Sequence, residues 1–498
     1  MNNVRSRLSS KASLAIIASI LLIAVSLIRV WLRRADLVAE DRFVLYNVIC
    51  LTGLLVCFTV LSLADDKKQK LVLFMASTYL SLFVVEVYLT VSTPAPYASA
   101  LDNAISASRQ GVAYDQRETA QVLEDLWLEG VDAWPTFYAT DWSQTQIFDT
   151  KVSAAVSHPD GSVSTQRVDE SNLYPMNGIS LSKSVYCNEG GAFSIFDLDE
   201  HGFPNPTGLY DRQVEIATLG DSFARGACVE RHESIAGQLR EMGHANTLNL
   251  ASGGSLLVEY ATFVEFVEPV RPKVVLWIYC ECNDLTDLDV EMQNELLMKY
   301  LREDGFSQKL FDKQQEIDKV LKGYADSAYI EWQRRTLEQP PARRTDSAQA
   351  IRDREEERVT LRVNSYTRSV YLPQLRNLIR NLLYGDGTGP EPGSVFEETL
   401  AKAKQRMEAW GGTLYFVYIP EWSRYANRKG VTFRHRGKVL AMVEKLGIPI
   451  IDFHQEMLRL DDPLEMFPFR ANNHYNAEGY RLVASQVKRR LVKERSLQ

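Results

Sequence analysis

An excess of positive charge is missing from this chain: 56 Lys and Arg stand against 64 Asp and Glu, a formal net charge of −8. Nucleic-acid binding needs a basic stripe or patch, so DNA and RNA are not expected partners. Local basic pairs such as Arg334-Arg335 and Arg343-Arg344 have acids close by and read as solvated helix faces. Internal repeats are missing too. Cysteine is scarce, with six in 498 residues. Cys50 and Cys57 lie in an apolar run, and Cys187, Cys228, Cys280 and Cys282 follow far downstream. The Cys280-x-Cys282 spacing lacks the further ligands zinc would need and is awkward for a mutual disulfide. Cys187 and Cys228 are the candidate pair if this part of the chain meets an oxidising compartment, with free thiols as the alternative. Neither a metal nor an organic cofactor is expected.

Long apolar runs are present, but only at one end. Residues 13–32, 43–64 and 71–92 are each about 20 residues long, the length that crosses a hydrocarbon core as a helix. No small-residue cleavage site follows the first run, which argues against a removed signal peptide. The reading is a three-helix transmembrane region over residues 1–93. Lys and Arg near the spans set the orientation. Arg5, Arg7 and Lys11 precede the first span, Lys67, Lys68 and Lys70 precede the third, and no basic residue follows until Arg109. This places the large C-terminal part outside the cytoplasm, although Arg33, Arg34 and Arg42 in the first loop, accompanied by Asp36, Glu40 and Asp41, pull the other way. Glu86 lies inside the third run, where a carboxylate is expensive and wants a partner or a proton.

Beyond the membrane, residues 94–210 form a connector and extension, with an amphipathic helix over 114–130 and a turn at Pro159-Asp160-Gly161. Its Asp199-Glu200-His201-Gly202-Phe203 run either lines the approach to a site or is a plain lead-in loop. Residues 211–498 alternate strands and helices: strand 213–219, helix 233–243, strand 246–250, helix 256–267, strand 273–280, then strands near 414–419 and 449–452 with a helix between. That alternation implies parallel βαβ units and a three-layer α/β/α sandwich. A charged helical insertion over about 286–384 interrupts it, expected as a cap or arm beside the active-site rim.

Four segments in this domain carry chemistry. Thr218-Leu219-Gly220-Asp221-Ser222 ends a strand in a tight turn and puts one serine hydroxyl at the strand's carboxyl end, where open α/β sheets place their ligands. Asn249-Leu250-Ala251-Ser252-Gly253-Gly254, then Glu281-Cys282-Asn283-Asp284, then His474-Tyr475-Asn476-Ala477-Glu478-Gly479 follow in order. Taken together they resemble the blocks of the SGNH (GDSL-type) hydrolases over roughly residues 213–490. The resemblance implies a nucleophile at Ser222, a base at His474, and oxyanion donors at the Ser222 amide, the Gly254 amide and the Asn283 side chain. Taken singly, Ser222 could be a helix N-cap, His474 a capping histidine, Gly254 a turn glycine and Asn283 a helix cap. Asp221 is read as shaping the turn.

Two positions depart from the family pattern. Glu281 stands where the family has glycine, and is expected to alter contacts at the rim. Ala471 stands three residues before the histidine, where the family has its acid. Asp462, Asp461 and Asp452 are the candidate replacements, Asp462 first; a Ser–His dyad and a backbone carbonyl are the alternatives. The implied function is a membrane-anchored serine esterase of the bacterial inner membrane, its catalytic domain periplasmic, removing O-acyl groups such as acetate from a cell-envelope or exported glycan. The alternatives are a glycan O-acyltransferase on the same site, or a catalytically silent SGNH-like scaffold. The expected partners are an O-acylated glycan or other ester, membrane lipid, and an envelope-assembly protein.

Overall fold

The computed structural model describes residues 43–92, 98–139, 173–338, 390–426 and 435–494, together with parts of 12–31, 146–165 and 372–379. The chain divides into two compact units, one comprising Met1–Ser92 with Arg358–Ile379, the other Thr93–Glu357 with Arg380–Gln498.

In the first unit, largely apolar sequence without proline gives helices Phe43–Leu61 and Asp65–Ser92. Asp66–Tyr88 is long and apolar enough to cross a membrane, and among the described residues it is the one helix that is; the other apolar stretches, Ala12–Leu21 and Cys50–Leu61, are shorter. Of the three expected spans, the third is thus of spanning length; the first, 13–32, lies partly outside the described residues. Leu73, Phe74, Leu80, Val84 and Tyr88 are exposed along it, as a lipid-facing surface would be. Glu86 is buried and accepts a hydrogen bond from the Leu375 backbone amide at 2.7 Å, which supplies the partner its position demands.

The second unit holds an all-parallel five-stranded sheet. A smaller sheet precedes it, formed by β1 (Ala133–Pro135), β2 (Lys183–Val185) and β3 (Ile195–Asp197) in the order β1-β2-β3. The main strands are β4 (Ile216–Gly220), β5 (Thr247–Asn249), β6 (Val274–Cys280), β7 (Thr413–Ile419) and β8 (Ile450–Asp452), in the order β8-β7-β6-β4-β5. All seven residues of β6 are buried, because a parallel sheet is covered on both faces. Alternate residues serve opposite cores. Val275, Trp277 and Tyr279 pack with Leu256, Tyr260, Phe396, Leu400 and Val443, while Val274, Leu276 and Ile278 pack with Ile235, Leu239, Tyr480, Val483 and Val487. Helices therefore lie on both faces, as the sequence alternation implied.

The extension is built into this unit. Asn205 donates from Nδ2 to the Asn249 carbonyl at 3.0 Å and accepts from the Asn249 amide at 2.7 Å, tying the extension to the edge strand β5. Asp199 is wholly buried and accepts from the His201 and Phe203 amides and the Asn205 side chain. Burial pushes its carboxyl up to about 7 against those hydrogen bonds. The His201 ring packs on Tyr210 and Phe311. The Asp199–Phe203 run is therefore a folded lead-in to the sheet.

The described part of the insertion begins with helices Asp284–Glu291 and Glu295–Arg302 and continues as Gln314–Glu338. The last of these lies along the extension: Ser180 donates to Asp318, Tyr329 to Glu124 and Trp332 to Glu118. Residues 339–371 of the insertion lie outside the described residues.

Candidate active site

β4 delivers the nucleophile through a turn that only glycine permits. Gly220 has φ +149°, and a Cβ there would sit 2.5 Å from Ala224 Cβ and 2.6 Å from the Ile278 carbonyl oxygen. Asp221 then caps the short helix Ser222–Arg225, its Oδ1 accepting the Phe223 amide at 2.9 Å. This is the turn-shaping role read from the sequence. Burial pushes the Asp221 carboxyl up to about 6, although the His474 charge and the Phe223 and Ala224 amides pull it down. At the first helical position, the Ser222 amide has no acceptor within the helix and makes no hydrogen bond among the described residues.

Ser222 Oγ lies 2.8 Å from His474 Nε2. The histidine arrives on the loop before helix Ala477–Lys493, whose cap is Asn476, with Oδ1 accepting the Gly479 amide at 3.0 Å. Phe223 packs against the imidazole with centroids 4.6 Å apart. This packing and capping fix the ring across 252 residues of sequence.

Behind the ring stands Glu189. Its Oε1 lies 2.9 Å from His474 Nδ1, and its Oε2 accepts the His474 backbone amide at 2.8 Å. A carboxylate only accepts, so Nδ1 carries the proton and Nε2 presents its lone pair to the serine hydroxyl. Burial lowers the imidazole pKa, but the Glu189 charge, its hydrogen bond and the Asp221 charge more than offset this and raise it above the ordinary histidine value. The Glu189 and His474 side chains are only 15% and 16% exposed, which shields their interaction from solvent.

The acid expected at Asp462 is therefore corrected to Glu189. Asp462 instead caps the turn Pro463–Met466, accepting the Leu464 amide at 3.1 Å, and is ion-paired with Arg470. Asp452 is ion-paired with Arg436. Glu189 comes from the turn between β2 and β3, a segment that precedes the stretch carrying the resemblance. A signal was present in the sequence: Glu189 lies two residues after Cys187, the cysteine paired in expectation with the nucleophile loop.

The remaining two residues leave neighbouring strands. Gly254 follows β5 and Asn283 follows β6, the strands flanking β4. The Gly254 amide makes no hydrogen bond among the described residues. Its missing side chain is required by Val258, whose Cγ1 would lie 2.3 Å from a Cβ. Asn283 donates from Nδ2 to Asp287 Oδ2 at 2.5 Å, which orients its amide and leaves the second N–H available. Neither residue hydrogen-bonds Ser222.

A buried acidic group braces these two segments against each other. Glu291 accepts the Ser255 amide at 2.6 Å and the Leu257 amide at 2.9 Å; Ser255 Oγ donates to the Asp284 carbonyl at 2.5 Å; Asp284 Oδ2 accepts the Cys280 amide at 2.8 Å. Burial pushes Glu291 up to about 8 and raises Asp284 and the nearby Glu259 well above the usual carboxylate range.

Glu281 does not sit at the rim as expected. Its carboxylate pairs with Arg424 in a contact only 3% exposed on either side, and accepts the Tyr418 hydroxyl and the Glu421 amide. A buried Arg424 supplies the counter-charge that lets this carboxylate lie away from solvent. Both cysteine pairs are disulfides, Cys187–Cys228 and Cys280–Cys282, and the second overturns the expectation for that spacing. Two clusters have metal-ligand composition, Glu189 with Cys228 and His474, and Asp221 with Cys280 and Cys282. Their sulfurs are already bonded, leaving no thiolate to ligate.

The site thus holds a hydroxyl, an imidazole with its lone pair toward that hydroxyl, and a largely shielded carboxylate behind the ring, with Gly254 and Asn283 on the loops that follow the two flanking strands. Comparison with family models and with curated proteins gives no match for this chain.

Proposed function

We propose that this protein is a membrane-anchored serine hydrolase of SGNH type that cleaves O-acyl esters, acetate on a cell-envelope or exported glycan being the substrate class implied by the resemblance. One observation carries the reading: the continuous Ser222–His474–Glu189 hydrogen-bonded chain. Ser222 Oγ attacks the acyl carbonyl as its proton passes to His474 Nε2, and Glu189 stabilises the imidazolium formed. The oxyanion is met by the Ser222 and Gly254 amides and the Asn283 side chain, each donor lowering the barrier by about 3 kcal/mol. Collapse expels the sugar hydroxyl with the Nε2 proton. Water then attacks the acyl-serine, with His474 again taking the proton, and the free acid leaves.

The helix Asp66–Tyr88 is read as the anchor. The basic residues before the spans and the two disulfides both favour an extracytoplasmic catalytic domain, bacterial and periplasmic by resemblance. The test is hydrolysis of p-nitrophenyl acetate by detergent-solubilised full-length protein, alongside Ser222→Ala. Turnover lost in the variant is expected; wild-type turnover no greater than the variant's removes the proposal.

A further inference from the structure

The catalytic acid and the nucleophile belong to segments far apart in sequence, and a covalent bond joins those segments. Cys187 lies two residues before Glu189; Cys228 lies six residues after Ser222; they are bonded, with Cα atoms 4.9 Å apart. Resting on the serine-hydrolase reading above, we infer that the Cys187–Cys228 disulfide is the positioning element for Glu189, so that the site becomes fully active only once this bond has formed.

The surrounding contacts explain why the bond is needed. Glu189 sits in the turn joining β2 to β3, closed by the Tyr186 amide to the Ser194 carbonyl at 2.9 Å and the Ser194 amide to the Cys187 carbonyl at 3.0 Å. The outer side of the turn is held by the extension: Tyr114 Oη donates to the Asn188 carbonyl at 2.7 Å, and Asn188 Nδ2 to the Asp115 carbonyl at 2.9 Å. Toward the nucleophile loop the hydrogen bond is Ser194 Oγ to the Val229 carbonyl at 2.5 Å, five residues beyond Glu189. The disulfide is the link nearest the carboxylate on that side. On the nucleophile side, Cys228 is held at φ +60°, a left-handed backbone that a non-glycine residue adopts at a cost. Tyr186, Phe196, Leu198 and Ala227 pack around buried Cys228, while Cys187 is only partly buried and leaves the bond within reach of a reductant.

A cysteine pair stays reduced in a thiol-rich cytosol and oxidises outside it. The positioning link would therefore be absent before export and present after it, restricting ester cleavage to the compartment where the substrate is. In the reverse step a dithiol such as dithiothreitol supplies two electrons and two protons. The Cys187–Cys228 S–S bond breaks to two thiols while the reagent closes to its own cyclic disulfide.

The experiment uses full-length protein in detergent and measures the rate of p-nitrophenyl acetate hydrolysis against pH. Compared are wild type before and after dithiothreitol, the Cys187→Ala/Cys228→Ala variant, Glu189→Ala, and the combination of the three substitutions. A misplaced catalytic group costs about 10²-fold, so reduction is expected to lower wild-type kcat by about that factor and reoxidation to restore it. The double-cysteine variant should be low from the start, and dithiothreitol, which then meets only the Cys280–Cys282 bond, should lower it by much less than it lowers wild type. Adding Glu189→Ala to it should cost less than Glu189→Ala costs in wild type, because the acid is already out of place. A merely structural bond gives a different result: full kcat and an unchanged pH profile at temperatures where the double-cysteine variant remains folded by circular dichroism. That outcome overturns the inference while leaving the hydrolase reading intact, whereas an inactive wild type would remove the latter instead.

Discussion

Replacing Glu189 with glutamine separates its charge from its shape. Glu189 accepts two hydrogen bonds from His474, at Nδ1 (2.9 Å) and at the backbone amide (2.8 Å). A glutamine there could satisfy one of them through its oxygen and would turn an NH2 toward the other donor. With charge centres about 4 Å apart and an effective dielectric constant near 20, the carboxylate–imidazolium attraction is about 4 kcal/mol. Because 1.36 kcal/mol is tenfold, the loss amounts to about 10³-fold in kcat. The pH dependence gives an independent readout. His474 must be neutral to act, so activity rises as pH climbs through its raised pKa. Removing the Glu189 charge leaves burial to dominate, so the rising limb should move to lower pH even as the plateau falls. The assay is kcat from pH 5 to 9 on p-nitrophenyl acetate. A Glu189→Gln enzyme within threefold of wild type, with its acidic limb unmoved, would refute the assignment.

Further predictions concern the neighbouring groups. Asn283→Ala removes the side chain proposed as an oxyanion donor and should lower kcat by about 10²-fold with little change in KM, read from saturation kinetics. Asp462→Asn keeps an oxygen for the Leu464 amide and should cost less than tenfold in kcat, since the acid behind His474 lies elsewhere. Glu281→Gln leaves the Arg424 cation without its buried counter-charge and should lower stability by about 3–5 kcal/mol, read as the midpoint of urea unfolding. Stability should also fall as pH rises from about 5 to 8. Asp199, Glu291, Glu259 and Asp284 have folded-state pKa values raised above the unfolded carboxylate range. The folded protein therefore binds more protons than the unfolded chain in that window, and the thermal midpoint should drop across it.

What could be read from the sequence followed physical regularity. Val274–Cys280 announced itself as a doubly covered parallel strand because seven consecutive positions must all be apolar or small. Ser222 and His474 were legible because a strand-end turn and a helix start each impose local chemistry: glycine at 220, a cap at 476, a small residue at 479. The acid was not legible from local spacing. Glu189 reaches His474 across 285 residues, and no periodic pattern marks a single carboxylate on a hairpin turn. The Glu281–Arg424 pair and the Ser255–Asp284–Glu291 brace escaped for the same reason, since buried polar partners are chosen by tertiary contact. Helix Asp65–Ser92 was plain from hydropathy; its Glu86, accepting from Leu375, was legible as a cost but not as a contact.

The most direct single measurement is intact and peptide mass spectrometry after treatment with a fluorophosphonate. The account predicts one adduct per chain, on the peptide containing Ser222, formed quickly in wild type and about 10³-fold more slowly in Glu189→Gln. An unmodified wild-type protein, or an adduct on any other residue, would contradict it.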